Sequence, residues 1–123
     1  MKERDVLAQT TAMLDAFGWR WWHVPAPMVA GKGEWRPYKK AAGLPDIFAF
    51  HDDPPRMVIL ELKGSKGKLS DDQREFLRLA RGVAETWEQA WPHTAATRPL
   101  GVYVVEPGNI DALETMLRTG VLT

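Results

Sequence analysis

Two apolar runs constrain this fold most: Ile47 to Phe50 and Met57 to Leu62, separated by His51-Asp52-Asp53-Pro54-Pro55-Arg56. The intervening residues read as a turn, so the runs are expected to pair as an antiparallel hairpin whose second strand is Met57 to Lys63. Pro45-Asp46 leads into the first strand and Glu61-Leu62-Lys63 closes the second. Alternate side chains of a strand share a face, so Glu61 and Lys63 point together and Leu62 points into the opposite layer. Asp46 then lies at the open end of the hairpin, opposite the end of the second strand. Two carboxylates and one ammonium group thereby surround one point, which costs free energy unless a metal, a phosphate or the groups themselves compensate.

Periodicity supplies the elements around this hairpin. Val6, Leu7, Thr10, Met13, Leu14 and Phe17 predict a helix over 3–17, stopped by Gly18. Trp19 to Val24 is a short strand with Trp19, Trp21 and His23 on one face and Arg20, Trp22 and Val24 on the other. Pro25 to Gly43 has three prolines, three glycines and little periodicity, and is expected to be a long loop. Gly64 to Lys68 reads as a flexible link, and Ser70 opens a helix with Gln73 at its capping-box position, ending near Gly82. Val83 to Trp91 is compatible with a further helical stretch after a break, and Pro92 to Pro99 with a loop. Leu100 to Val105 is a buried-type strand, and Asn109 or Asp111 caps a last amphipathic helix containing Ile110, Leu113, Met116 and Leu117. The order helix, strand, strand, strand, helix, strand, helix specifies one α/β domain over 1–123 with a small mixed β-sheet.

Composition narrows the chemistry. The chain has 123 residues and no cysteine, which removes disulfides, thiolate nucleophiles and zinc sites built on sulfur. No apolar run approaches a membrane span and the start lacks a signal-peptide pattern, so a soluble, cytoplasmic protein is expected. The 16 basic and 16 acidic residues cancel, which counts against broad non-specific nucleic-acid binding, but their distribution is uneven. Arg20, Lys32, Arg36, Lys39 and Lys40 face only Glu34 between residues 20 and 40, and Lys63, Lys66 and Lys68 form a second basic group. His23, His51 and His93 are too scattered for a metal motif, Ser65 and Ser70 lack a His/Asp partner pattern, and no phosphate-binding glycine loop marks a nucleotide site.

The charged cluster suits metal-assisted hydrolysis of a phosphodiester. Mg²⁺ takes about six oxygen ligands, several of them from water and phosphate, and Asp46, Glu61 and the backbone carbonyl of Leu62 make a plausible protein share. A metal lowers the pKa of a bound water and neutralises charge on the phosphoryl oxygens. Lys63 can either accept a proton or position the water electrostatically. The opposing reading is a solvated strand edge, with Asp46 as a turn residue after proline.

Gly43-Leu44-Pro45-Asp46-Ile47-Phe48-Ala49-Phe50 followed by Val58-Ile59-Leu60-Glu61-Leu62-Lys63 resembles the core of the PD-(D/E)XK nucleases. Gly67-Lys68-Leu69-Ser70-Asp71-Asp72-Gln73 is similar to the VRR-NUC branch of phage and bacterial proteins, related to Holliday-junction resolvases, in which Ser-x-x-Gln opens the helix after the lysine. Gly18-Trp19 and Val102 to Pro107 match further family positions. The resemblance covers 3–82 and 101–118. It implies a restriction-endonuclease-like sheet flanked by helices and a DNA endonuclease dependent on Mg²⁺ or Mn²⁺, with branched or junction DNA among the substrates to expect. It also implies catalytic roles for Asp46, Glu61, Lys63 and Gln73, an assisting role for Glu3 at the metal or its water, and a homodimer. Two departures stand out: residues 83–100 form an insertion, and Gly64 replaces a common serine.

Outside the centre, Arg36, Lys39, Lys40, Lys66 and Lys68 are candidates for DNA phosphate contacts, and Trp22, Trp35 and Tyr38 for stacking on an exposed base. Gln73 has two competing jobs, capping its own helix or orienting water or phosphate, and one side chain is not expected to do both fully. The rival to a nuclease is a non-catalytic nucleic-acid-binding or phage-assembly accessory protein on the same scaffold.

Overall fold

The computed structural model describes residues 1–24, 28–31, 34–37, 43–90 and 99–119, with the backbone alone for 28–31, 34–37 and 119. The domain is α/β. Its order is α1 (Glu3–Ala16), β1 (Arg20–His23), β2 (Met28–Gly31), β3 (Glu34–Pro37), β4 (Ile47–Asp52), β5 (Pro55–Leu62), α2 (Asp71–Ala90), β6 (Leu100–Val105), a 3-10 turn (Pro107–Asn109) and α3 (Ile110–Thr119). Four strands form one mixed sheet in the order β1-β4-β5-β6, antiparallel except for the β5–β6 pair. A parallel pair needs a crossover, and α2 supplies it.

The alternation along β5 divides the core in two. Val58, Leu60 and Leu62 join Val6 and Leu14 of α1 and Leu113, Met116 and Leu117 of α3. Ile59 instead joins Leu77 of α2 with Leu100 and Val102 of β6. Trp19 closes the first layer, its indole Nε1 donating to the Leu117 carbonyl at 3.0 Å. Trp21 packs at the margin of that layer, whereas Trp22 is exposed and stacks edge-on against Phe50. Among the described residues no helix is long and apolar enough to cross a membrane.

Three sequence expectations are corrected. The stretch 25–43 is not wholly loop, because β2 and β3 pair antiparallel within it, from Met28↔Pro37 to Gly31↔Glu34. These strands have four residues each and sit among prolines and glycines, so neither develops a readable alternation. The six-residue turn 51–56 shrinks to Asp53-Pro54, since His51↔Arg56 and Asp52↔Pro55 extend the ladder. Proline at the first residue of β5 is compatible with a strand that it begins.

The third correction concerns α2, which runs unbroken through Gly82 to Ala90. Gly82 is exposed and has nothing near its Cβ position, while Ala80 and Ala84 pack against the second layer on either side. Packing therefore carries the helix through a residue that costs about 1 kcal/mol relative to alanine. The first eight residues of the supposed insertion are thus the end of α2, and 91–98 lie outside the described residues.

Candidate active site

The hairpin register sets up the site. Ile47 pairs with Leu60, which places Asp46 beside Glu61 at the end of β5. The backbone of Asp46 is held on both sides: its N–H donates to the Leu60 carbonyl at 3.1 Å and its carbonyl accepts from Val24 N at 2.7 Å. Its carboxylate Oδ2 then accepts the Leu62 N–H at 2.7 Å. The lead-in is equally constrained, with Pro45 fully buried and Gly43 at φ +85. A Cβ on Gly43 would collide with the Asp72 carbonyl, so only glycine lets this segment lie against the first turn of α2.

Glu61 is only 2% exposed, and its two oxygens are treated differently. Oε1 accepts Gln73 Nε2 at 2.7 Å and lies 3.6 Å from Lys63 Nζ. Oε2 is buried with no hydrogen-bond partner. Burial, reinforced by the neighbouring Asp46 charge and opposed by Lys63, raises the Glu61 pKa from 4.5 to about 7. The chain thus keeps a carboxylate where ionisation is unfavourable, with one acceptor atom left open.

Gln73 caps its helix, the first of the two jobs the sequence offered, and in addition reaches Glu61, a contact the sequence did not specify. Its Oε1 accepts the Ser70 N–H at 2.8 Å, and its own N–H donates to Ser70 Oγ at 3.1 Å, completing a reciprocal capping box. Its Nε2 remains free for Glu61, because an amide has a donor end and an acceptor end. The cap therefore orients the group that holds the glutamate.

Lys63 follows β5 directly, and its N–H donates to the Val105 carbonyl at 2.9 Å, prolonging the parallel pairing. The segment after it is fixed by contacts. Ser65 donates to the Met1 carbonyl from both N (2.9 Å) and Oγ (3.1 Å), and Gly67 N donates to the Gly64 carbonyl at 3.0 Å. A Cβ on Gly64 would sit 2.7 Å from Glu3 N, and one on Gly67 would sit 3.1 Å from Lys63 Cδ. The sequence read these glycines as a flexible link; their contacts show that they permit close approach instead. The only signal was their spacing around the lysine.

Asp46, Glu61, Lys63 and Gln73 are therefore brought together, with Leu62 ending β5 between Glu61 and Lys63 in the chain. Glu3 stands in the first turn of α1 with an exposed side chain, its backbone against Gly64. Among the described residues, no group of three or more histidine, aspartate or glutamate side chains could hold a metal ion, so Glu3 does not complete a triad with Asp46 and Glu61. Lys66 and Lys68 are exposed on the segment following Lys63. Arg36 lies on β3, with its side chain outside the described residues, as are Lys39 and Lys40 entirely.

The residues present fit a divalent cation by their chemistry. Asp46 and Glu61 supply hard oxygen donors, and Glu61 Oε2 is a buried acceptor without a donor. A cation offsets the same repulsion and burial that raise the Glu61 pKa. Comparison with models of known protein families, with curated proteins and with solved structures returned no match.

Proposed function

We propose that this chain is a divalent-metal-dependent DNA endonuclease whose centre comprises Asp46, Glu61, Lys63 and Gln73. The observation that carries this reading is the buried Glu61 carboxylate, with one oxygen held by Gln73 and near Lys63 and the other unpartnered. A solvated strand edge does not account for it, because Glu61 is almost wholly excluded from water.

Asp46, Glu61 and the Leu62 carbonyl would hold Mg²⁺ or Mn²⁺. When bound, such an ion lowers the pKa of water and offsets charge on the phosphoryl oxygens. The remaining work belongs to the side chains. Asp46 is oriented by the Leu62 N–H and Glu61 by Gln73, so neither carboxylate must reorganise as substrate arrives. Lys63, largely buried beside Glu61, supplies positive charge where the attacking water and the phosphate meet. Water adds to phosphorus, one P–O bond of the strand breaks, and the leaving oxygen gains a proton.

The test is a cleavage panel of flapped, branched, four-way, linear duplex and single-stranded DNA, with Mg²⁺, Mn²⁺ or EDTA. Wild type should cleave at least one substrate only with metal, and Lys63→Ala should not. Absence of metal-dependent cleavage from every substrate at high protein concentration would overturn the proposal. Binding without cleavage would favour the accessory-protein reading.

A further inference from the structure

The sheet face that carries Glu61 is covered unevenly. Directly paired residues share a face, and so do alternate residues of one strand. Arg20, Phe50 and Met57 therefore form one row across it, and Trp22, Phe48 and Ile59 the next. Asp46 and Glu61 follow in the row after that, since Ile47 pairs with Leu60. Ile59 lies under α2 in the layer of Leu77. Exposure rises from there toward the edge strand β1, from Ile59 at 6% through half-buried Phe48 to Trp22 at 51%. Phe50, beside them, is also exposed.

Two exposed aromatic rings and a cation thus stand on the face that holds the buried carboxylate. Trp22 and Phe50 meet edge to face, with ring centroids 5.8 Å apart. The Arg20 guanidinium lies 5.5 Å from the centre of the Trp22 ring. No carboxylate among the described residues forms an ion pair with Arg20. That charge argues against an apolar cover from a second copy of the chain, which would bury Arg20 unpaired. A nucleotide satisfies both features: its base stacks on an aromatic ring, and its phosphate offsets the guanidinium. Trp22 lies two strands and one row from Glu61, about 12 Å between Cα positions at ordinary strand spacing and rise. A base on Trp22 and a phosphate at Glu61 then belong to one short stretch of strand. Bases within a duplex are already stacked and paired, so the base on Trp22 must be unpaired.

We propose that Trp22, Phe50 and Arg20 form a stacking platform for an unpaired base of the strand being cut. The preferred substrate then carries a single-stranded segment beside the scissile phosphate, and Trp22 is the residue that selects it. This rests on the nuclease reading of the adjoining centre and adds a substrate class to it.

The experiment uses the full chain in EDTA, so that binding is measured without cleavage. Two single-stranded octamers are compared: octathymidylate, and the same phosphate backbone with abasic sugars throughout. Affinity is measured for wild type, Trp22→Val, Trp22→Phe and Arg20→Gln, with urea denaturation confirming that each folds. Valine suits an edge strand and removes the ring, whereas phenylalanine retains one. Wild type should bind octathymidylate about fivefold more tightly or better than the abasic octamer, from the lower end of base–aromatic stacking. Trp22→Val should erase that difference, and Trp22→Phe should keep most of it. Arg20→Gln should weaken both octamers alike, since it acts on phosphate. Equal binding of both octamers by wild type, binding of neither, or a preference that survives Trp22→Val overturns the proposal. Self-association of wild type that Trp22→Val abolishes overturns it too, by assigning the face to a second copy. Metal-dependent cleavage assayed in parallel reports on the nuclease reading alone. Cleavage without base-dependent binding retires only the platform, and base-dependent binding without cleavage retires only the nuclease.

Discussion

Gln73 Nε2 stands 2.7 Å from Glu61 Oε1 while the other end of the same amide accepts the Ser70 N–H, so the start of α2 and the buried carboxylate share one side chain. The two functions can be separated by mutation. Ser70→Ala removes the hydroxyl half of the capping box and should cost about 0.5–2 kcal/mol of stability, with cleavage nearly unchanged. Gln73→Ala removes the cap and leaves Glu61 without its amide donor. It should lose a similar amount of stability and also reduce cleavage at least about tenfold. Urea denaturation and single-turnover cleavage of both variants check this; equal activity loss in the two would place Gln73 in the helix cap alone.

Lys63 opposes the rise in the Glu61 pKa, so removing it has two consequences. Lys63→Met should reduce cleavage by about 10²-fold or more, the scale of losing a preorganised electrostatic contact in a transition state. It should also make Glu61 harder to ionise, shifting the cleavage pH profile upward in any residual activity. Lys63→Arg keeps the charge, and partial rescue by arginine would identify an electrostatic role, since guanidinium does not act as a useful proton acceptor. Cleavage rate against pH for the three proteins distinguishes the outcomes.

How much of this was legible follows from the range of each signal. Asp46, Glu61 and Lys63 could be placed together because strand alternation and hairpin register are local rules, and Ile47↔Leu60 satisfies both. Three strands of the sheet, β4, β5 and β6, follow from apolar runs long enough to read, and β1 from the aromatic run at Trp19, Trp21 and Trp22. The β2–β3 hairpin does not, since its strands offer too few side chains for a pattern. Gly82 carries a local stop signal that packing of Ala80 and Ala84 overrides. Gln73's shared role needs the distance between α2 and β5, which no spacing along the chain supplies. Gly43 and Gly64 likewise matter through backbones that approach from distant segments, Asp72 and Glu3.

The raised Glu61 pKa predicts a pH dependence of stability without metal. Between 4.5 and about 7 the folded state holds a proton that the unfolded chain has released. Stability therefore falls as pH rises through that window, and is greatest on its acidic side. In EDTA the urea midpoint should decline from pH 5 to pH 7.5, apart from contributions of other groups. Glu61→Gln, which carries no charge, should flatten that decline and be more stable than wild type at pH 7.5, yet inactive. Adding Mg²⁺ should stabilise wild type at pH 7.5 and leave Glu61→Gln much less affected. A midpoint that rises over this window specifically because Glu61 is present, judged against Glu61→Gln, would contradict the assigned shift.

Gly43 ties the approach of Asp46 to the start of α2. At φ +85 any side chain is strained, and a methyl group would also meet the Asp72 carbonyl. The backbone conformation alone costs on the order of 1–3 kcal/mol for a non-glycine residue. The clash requires α2 or the lead-in to move, and both carry groups of the site: Gln73 on one and Asp46 on the other. Gly43→Ala should therefore lose stability and weaken the Mg²⁺-induced increase in thermal midpoint. Gly82→Ala is the control, because it lies in the same helix with open space at its Cβ position. That substitution should raise stability by about 0.5–1 kcal/mol and leave the metal response unchanged. If Gly43→Ala lowers stability while retaining the full metal response, the lead-in supports the fold without positioning Asp46.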